Sequence, residues 1–172
     1  MAHLTNPNEF WAELPIPSIA MDEKFFSKEL WHGSVSLAQD LWLIHGLKRY
    51  NLNALATQVS ERIFRYLNES FKLYNGIYCF YPPMSYNINS LTLNNNTYST
   101  AGFCLANAPI HSIFFRGLLG AEVLDESINF IPGDWSVLPR EVSFNFYYRN
   151  RKIDAYLSKI DKKMLEIYAE PT

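Results

Sequence analysis

Apolar residues in the first half of the chain recur at the spacing of amphipathic helices. The first predicted helix begins at Ser34 or Ser36, either of which can serve as its N-cap, and it ends at Tyr50. A second helix is predicted over residues 53–71, where apolar residues return every third or fourth position. The connection at residues 51–52 is so short that the two helices are expected to form an antiparallel hairpin.

The second half of the chain changes to the alternating pattern of β-strands. A third helix is predicted over residues 110–119, followed by a short strand over residues 128–131. Beyond them lie three stretches in which apolar and polar residues alternate. These stretches are residues 142–148, 153–157 and 165–169. The pattern predicts an α+β protein in which a small antiparallel meander of three or four strands follows the helices.

Three irregular segments separate these elements. Residues 1–33 mix prolines with aromatic residues and predict a packed arm without a long helix. Residues 77–81 predict a brief extended segment, which Pro82-Pro83 stops. Residues 84–100 are rich in asparagine and have no apolar period, so they predict a loop without regular structure. A loop of that length inside a compact domain is usually functional or mobile.

Composition and charge exclude several classes of function. The 172 residues suffice for one domain with a substantial core, and the aromatic share of 16% indicates either a bulky core or a ligand groove. The net charge is -2 with both signs interspersed, so a nucleic acid partner is not expected. The apolar runs are too short for a bilayer and no signal peptide is recognisable. We therefore expect a cytoplasmic protein without a membrane partner.

Motifs for metal, cofactor and nucleophile chemistry are missing from the sequence. The 4 histidines and 2 cysteines fit no metal-ligand spacing. Glycine-rich phosphate loops and the G-x-S-x-G nucleophile motif are also absent. We therefore expect no metal site and no cofactor.

Trp31-His32-Gly33 is a candidate binding segment. It stands just before the first predicted helix, with Trp11 earlier in the same arm. A flat indole can cover the apolar face of a pyranose while adjacent polar groups bind its hydroxyls, so these residues are typical of a sugar-binding rim. The alternative is that both tryptophans lock the arm onto the helices.

The order of several short motifs along the chain resembles a known enzyme family. The motifs are Phe10-Trp11, Pro15-Ile16-Pro17-Ser18-Ile19-Ala20, Asp22, Trp31-x-Gly33 and Gly46-Leu47-Lys48-Arg49-Tyr50. This series resembles the C-terminal part of the six-hairpin (α/α)6-barrel glycoside hydrolases. Within them, it is most similar to the processing α-glucosidase and mannosylglycerate hydrolase group, with trehalase-like enzymes further off. Phe80-Tyr81-Pro82-Pro83 is similar to the loop that carries the family's catalytic base, and Gly102-Phe103 stands where a Gly-Trp opens the last barrel helix.

The resemblance implies an architecture and a set of binding residues. Residues 1–120 would form part of an (α/α) helical-hairpin toroid, and residues 121–172 the small antiparallel β-sheet appendage that often follows such barrels. Phe146-Tyr147-Tyr148-Arg149 belongs to strands similar to that appendage. Enzymes of this family invert the anomeric centre with a carboxylic acid and a carboxylate. The substrate-binding residues that the resemblance implies are Trp11, Trp31, Gly33, Phe80 and Tyr81.

The sequence departs from the family at residues that matter for hydrolysis. Cys79 precedes Phe80 where the base glutamate is expected, and a thiol has no pair of oxygens to orient a water. The general acid would belong to an earlier hairpin that the sequence does not contain. Three more residues depart from the family's motif: His32 for arginine, Ser36 for tryptophan and Asp40 for asparagine. We therefore predict no catalytic residue and no autonomous hydrolysis, with weak binding of a carbohydrate ligand.

Two alternatives to this prediction stay open. Three helices cannot close a barrel of six hairpins, so self-association or a partner chain is expected. The first alternative is therefore a structural or assembly subunit that completes a barrel with another chain. The second is a surviving hydrolase in which Asp40 or Glu13 has been recruited as the base.

Overall fold

The computed structural model describes residues 2–97, 107–123, 128–148, 151–160 and 163–170. Its helices are α1 (Leu37–Arg49), α2 (Asn53–Tyr74) and α3 (Asn107–Ser112), and α3 continues into a π-helical segment, Ile113–Leu118. Short 3-10 turns lie at Ile88–Ser90 and Trp135–Val137. The strands are β1 (Val35–Ser36), β2 (Phe80–Tyr81), β3 (Thr92–Leu93), β4 (Asn96–Thr97), β5 (Ala121–Val123), β6 (Ile128–Phe130), β7 (Glu141–Tyr148), β8 (Arg151–Ser158) and β9 (Lys163–Glu170).

The sheets of the described residues are small and antiparallel. β1 pairs with β2, β3 with β4 and β5 with β6, whereas β7, β8 and β9 form one sheet in chain order. Helices followed by small antiparallel sheets confirm the predicted α+β class. The predicted closing meander is also confirmed, and it has three strands.

Helices α1 and α2 follow the predicted hydrophobic pattern and contact each other. α1 begins after Ser36, which occupies the N-cap position although its side chain makes no capping hydrogen bond. α2 extends further than predicted, to Tyr74. Asn75 then ends α2 in the left-handed conformation (φ 48) and donates its N–H to the carbonyl of Phe71 at 2.7 Å.

The main hydrophobic core joins the N-terminal arm to α1, α2 and the π-helical segment. Burying a large apolar side chain stabilises a fold by roughly 1.5–3 kcal/mol, so these contacts fix the arm as well as the helices. The most deeply buried members are Leu14, Val35, Leu37, Ile44, Ala56, Val59, Ile63, Tyr66, Tyr81 and Ile113.

A second core forms where the π-helical segment meets the sheets. Phe114 and Phe115 contact Phe144 of β7 edge to face, with ring centroids 5.9 and 5.5 Å apart. Phe64 of α2 lies 5.5 Å from Phe114 and packs on both cores. The sheets therefore pack directly on the helices. The buried members of this core are Leu118, Leu119, Ala121, Ile128, Phe130, Leu138 and Leu157.

Several elements differ from those that the sequence predicts. The third helix begins earlier, at Asn107, and changes to a π-helix at Ile113. Residues 84–97 include a 3-10 turn and the β3–β4 hairpin, so the expectation of no regular structure there is wrong. β5 is not predicted by the apolar pattern, yet it pairs with β6 over all three of its residues.

Gly120 lets the chain turn from the π-helical segment into β5. Its φ is 68, a conformation that residues with a side chain rarely adopt. A Cβ at this position would lie 2.0 Å from the carbonyl oxygen of Ile131, which approaches from the end of β6. Only glycine therefore fits between the two strands at this point.

Some predictions concern residues that the structure does not describe. The expected helix opening at Gly102-Phe103 lies outside the described residues, as does Arg149 of the closing strands. Within the part of the chain that is described, no helix has both the length and the apolarity needed to cross a bilayer.

Candidate functional site

The N-terminal arm is held against the rest of the protein by backbone hydrogen bonds, as a packed arm requires. Leu14 is fully buried and donates its N–H to the carbonyl of Pro83 at 3.0 Å. Ser18 donates its N–H to the carbonyl of Ser34, also at 3.0 Å. The bond between Ser18 and Ser34 closes the segment that carries Trp31, so Trp31 has a defined position just before β1.

Trp11 packs between the arm and α2. The guanidinium of Arg62 lies over the indole ring, 4.5 Å from its centroid, and donates a hydrogen bond to the carbonyl of Ala12 at 2.8 Å. Trp11 is partly buried against the main core. This tryptophan therefore fastens the arm to α2, as the alternative interpretation of the two tryptophans expects.

Trp31 and Phe80 form an aromatic pair at the surface. Their ring centroids are 4.7 Å apart and their planes meet at 80°. Trp31 is 53% exposed, whereas Phe80 is half-buried in β2, where it lies opposite Ser36 of β1. The N–H of Trp31 donates a hydrogen bond to the hydroxyl of Ser34 at 3.2 Å. The indole is thus supported by Phe80 while much of its surface is open to solvent.

Gly33 shapes the turn that presents Trp31. Its φ is 146, and its N–H donates a hydrogen bond to the hydroxyl of Ser18 at 3.0 Å. A Cβ on Gly33 would lie 2.6 Å from the ring of Phe26 and 2.8 Å from the carbonyl oxygen of Ser27. Gly33 is buried. Its role in a site is therefore to allow this close approach of the chain, since it has no surface for a ligand.

Tyr81 is a core residue and does not line the surface. Its side chain is fully buried, and its hydroxyl accepts a hydrogen bond from the N–H of Tyr78 at 2.8 Å. Burial raises the pKa of Tyr81 to about 12. The expectation that Tyr81 contacts a substrate is corrected by this burial: its ring supports β2 from the inside.

An apolar groove of about 420 Å³ lies at the loop that follows β2. The arm and this loop supply its walls. The hydroxyl of Tyr66 donates to the carbonyl of Pro82 at 2.8 Å and so fixes one wall. Polar groups are few, which makes the groove suitable for the apolar side of a ligand. Its lining includes Phe26, Lys28, Pro82, Pro83, Asn87 and Leu91.

Glu29 lies two residues before Trp31 and braces the arm. Its carboxylate accepts hydrogen bonds from the hydroxyl of Thr92 at 2.7 Å and from the N–H of Asn94 at 2.6 Å. These bonds, the one from Thr92 first, lower the pKa of Glu29. The carboxylate is therefore an ionised structural acceptor and a poor proton donor.

Asp40 and Glu13, the two candidate replacement bases, have contrasting surroundings. Asp40 is fully buried in the apolar face of α1, and no described residue donates a hydrogen bond to either of its oxygens. Burial raises the pKa of Asp40 well above its usual value. Glu13 is exposed, accepts a hydrogen bond from the hydroxyl of Tyr86 at 3.2 Å and lies 3.9 Å from the guanidinium of Arg65.

Cys79 lies immediately before β2 as a half-buried free thiol. It is the residue that occupies the expected base position, next to Phe80 of the aromatic pair. The described residues contain no group of histidine, cysteine, aspartate or glutamate side chains that could hold a metal ion.

Comparison with known proteins adds no relative. No protein-family model, no curated protein and no solved structure matches this chain. The features that bear on function are therefore the motif series, the aromatic pair and the apolar groove.

The structure brings residues to this region that the sequence pattern does not indicate. Phe26 packs under Gly33, and Glu29 reaches the β3–β4 hairpin. The first contact lies within an irregular arm, and the second joins residues that are 63 positions apart in the sequence. No local periodicity marks such residues, so only a resemblance or a structure could have located them.

Proposed function

We propose that this protein is a carbohydrate-binding relative of the six-hairpin glycoside hydrolases that does not hydrolyse glycosides by itself. Residues 1–120 would retain part of an (α/α) helical-hairpin toroid, and the sheets within residues 121–172 would be its appendage. We also propose that it works in the cytoplasm. The observation that carries the proposal is the exposed indole of Trp31, which packs against Phe80.

The backbone of Trp31 supports a role in binding. Its φ is 68, and a bulky residue in such a conformation costs on the order of 1–3 kcal/mol. Residues held in these conformations cluster at ligand sites, where the strain fixes the side chain for contact. An indole fixed in this way can stack on the C–H face of a pyranose, and the exposed imidazole of His32 is adjacent for its hydroxyls.

Three residues support the absence of autonomous hydrolysis. Inverting enzymes need one carboxyl group that protonates the leaving oxygen and another that activates water. Cys79 stands where the base is expected and has no carboxylate. Glu29 has a lowered pKa and accepts a hydrogen bond from the hydroxyl of Thr92. Asp40 has a raised pKa, but it is buried away from any substrate. Cys79 has no carboxylate, both oxygens of Glu29 already accept hydrogen bonds from the protein, and Asp40 is buried, so none of the three is available as the acid or the base.

Sugar binding is tested by titrating the protein with glucose, mannose and their disaccharides in saturation-transfer NMR. We expect dissociation constants of roughly millimolar, because one stacked ring and a few hydrogen bonds are a small contact. Trp31→Ala should abolish the transfer signal. Trp42→Ala is the matched control, because Trp42 is also exposed, at 75%, and lies outside the aromatic pair and the groove.

Two outcomes would count against sugar binding. One is the absence of a saturation-transfer signal for every sugar, and the other is an equal loss of signal in the Trp31 and Trp42 variants. Hydrolysis is measured separately, as release of glucose or mannose from the same disaccharides. Release that Cys79→Ala abolishes would show that the thiol is catalytic and that the proposal of a non-hydrolytic protein is wrong.

A second candidate function is an assembly subunit whose helices complete a barrel with another chain. It is favoured by large apolar side chains that α1, α2 and the connection between them leave exposed to solvent. Light scattering at roughly 0.1 mM protein tests its self-associating form, and Trp42→Ser should then lower the measured mass. The exposed side chains are Trp42, Tyr50, Phe71 and Leu73.

A further inference from the structure

A concave region with a different lining lies beside the ends of α1 and the π-helical segment. It consists of an inner cavity of about 200 Å³ and an outer hollow of about 550 Å³. Both are lined by Lys48, Arg116 and Glu122, so they adjoin. None of these residues lines the apolar groove or belongs to the aromatic pair.

The fold fixes the ammonium of Lys48 and the backbone that carries Arg116. Lys48 is in the last turn of α1, and its ammonium donates a hydrogen bond to the carbonyl of Arg116 at 3.1 Å. Arg116 belongs to the π-helical segment, a kind of helix that is rare and frequent at functional sites. The next residue, Gly117, packs so closely on α2 that a Cβ would lie 2.1 Å from the hydroxyl oxygen of Ser60. The segment that carries Arg116 is therefore rigidly seated.

Two cationic side chains, Lys48 and Arg116, share this part of the described structure with a single carboxylate. His45 lines the outer hollow beside Lys48 and Arg116, and Glu122 is the one carboxylate among the described lining residues. Neither Lys48 nor Arg116 forms an ion pair within the described part of the chain. Desolvation and the charge of Arg116 lower the pKa of Lys48, although Glu122 acts in the opposite direction. Desolvation, Arg116 and Lys48 lower the pKa of His45.

We propose that this cavity binds a small metabolite through an oxyanion group, a phosphate or a carboxylate, held by Lys48 and Arg116. A guanidinium presents paired N–H donors that match two oxygens of such a group, and the ammonium adds a second charge. The inner cavity is about seven times the volume of a water molecule in the liquid, which suits an anionic group. The open outer hollow leaves room for the rest of the ligand. The site is independent of sugar binding at Trp31.

A small solute fits this region better than a polymer. Three basic side chains converge in one concave place, while the chain as a whole has a net charge of -2. Phosphate polymers require a basic surface that extends along many residues. Glu122 adds selectivity, because its carboxylate repels every anion and only an anion that engages both cations overcomes that repulsion.

The test is a titration of the full chain with inorganic phosphate, and in separate samples with succinate, at constant ionic strength, followed by NMR. Arg116→Gln and Lys48→Gln should each raise the dissociation constant at least about tenfold. Glu122→Gln should lower it. Arg49→Gln is the matched control, since Arg49 is the exposed neighbour of Lys48 on α1 and lines neither cavity.

A second readout separates a site from a structural effect. A bound anion should raise the pKa of the His45 imidazole in the wild-type protein and in Arg49→Gln, but not in Arg116→Gln. Thermal unfolding of each variant shows that it is folded. The proposal is supported if phosphate or succinate binds, if binding is weakened in Arg116→Gln and Lys48→Gln but not in Arg49→Gln, and if the pKa of His45 responds as described. The anion that binds more tightly identifies the preferred group. No binding of either anion, or equal binding in Arg49→Gln and Arg116→Gln, overturns it.

Discussion

Trp31 and Phe80 meet edge to face, with ring centroids 4.7 Å apart and planes at 80°. Trp31 lies near the end of the N-terminal arm, whereas Phe80 belongs to β2, which pairs with β1, the strand that directly precedes α1. Aromatic pairs of this geometry contribute about 0.5–1.5 kcal/mol beyond the area that they bury. The exposed indole therefore depends for its position on a residue anchored in a strand pair.

Removing the Phe80 ring should release Trp31 without unfolding the protein. In Phe80→Leu, we expect the free energy of unfolding to fall by about 1–2 kcal/mol and the indole N–H of Trp31 to become more mobile in NMR relaxation. Binding of sugars should weaken with it. Phe25→Leu is the control, because Phe25 is an exposed phenylalanine of the same arm. Unchanged relaxation of the Trp31 indole in Phe80→Leu would show that the pair does not position it.

A side chain at Gly33 should disrupt the turn before β1. Gly33→Ala places a Cβ 2.6 Å from the ring of Phe26 at a φ of 146, so we expect a loss of about 2–4 kcal/mol in urea denaturation. Gly46→Ala is the contrasting change, because a Cβ there meets nothing within 4 Å inside α1. That variant should gain about 0.5–1 kcal/mol from helix propensity. Equal stability of the two variants would contradict the packing described for Gly33.

The buried carboxyl of Asp40 should make stability depend on pH. Burial raises its pKa in the folded state above that in the unfolded state, so the folded state binds the proton more tightly. The stability that protonation of Asp40 contributes is therefore complete below the unfolded-state pKa of about 4. It is lost as the pH rises toward the pKa of the folded state. Asp40→Asn removes the titration, and at neutral pH it should stabilise the protein by about 1–3 kcal/mol.

Urea denaturation between pH 4 and pH 8 checks this expectation. The advantage of Asp40→Asn over the wild-type protein should grow as the pH rises and nearly vanish at the acidic end. Asp22→Asn is the control, since Asp22 is an exposed aspartate of the arm. A difference between Asp40→Asn and wild type that is the same at every pH would mean that the carboxyl does not titrate in this range.

The carboxylate of Glu29 should protect the β3–β4 hairpin from exchange. Its bonds to Thr92 and Asn94 lower its pKa in the folded state. The stability that the ionised carboxylate contributes is therefore present above the pKa of the unfolded state, and it is lost as the pH falls through the pKa of the folded state. In Glu29→Gln, the N–H of Asn94 should exchange with solvent faster at neutral pH. Glu69→Gln serves as the control, because Glu69 is another carboxylate with a lowered pKa but pairs with Lys72. Equal exchange at Asn94 in both variants would show that the hydrogen bonds to Glu29 do not hold the hairpin in place.

The parts of the fold that the sequence predicts correctly are those with a long local period. Apolar residues repeat over many positions in α1, in α2 and in the β7–β9 meander. The period in the sequence therefore identifies the buried face of each of these elements. β5 and the β3–β4 hairpin, which the apolar pattern does not predict, are only two or three residues long on each strand. A segment that short carries too few positions to establish a period.

The candidate site is predictable in part, for a related reason. The motif series groups Trp31 with Phe80 and Tyr81; the structure brings Trp31 and Phe80 into contact but buries Tyr81. Neighbours in a strand point to opposite sides, so Phe80 and Tyr81 cannot both face a ligand. The pairing of β2 with β1 decides which one is inside, and that pairing is a long-range contact.

The hydroxyl of Thr57 should contribute more to the free energy of unfolding than its methyl group does. It lies 3.3 Å from the carbonyl oxygen of Gly117 and accepts the N–H of Gly133 at 3.0 Å, so it joins α2 to the π-helical segment and to the loop after β6. Thr57→Val keeps the shape but leaves that N–H without its acceptor, and we expect a loss of about 1–3 kcal/mol in urea denaturation. Thr57→Ser should restore most of it, because the hydroxyl returns. If the valine and serine variants are equally stable, side-chain volume rather than the hydrogen bonds holds this junction together.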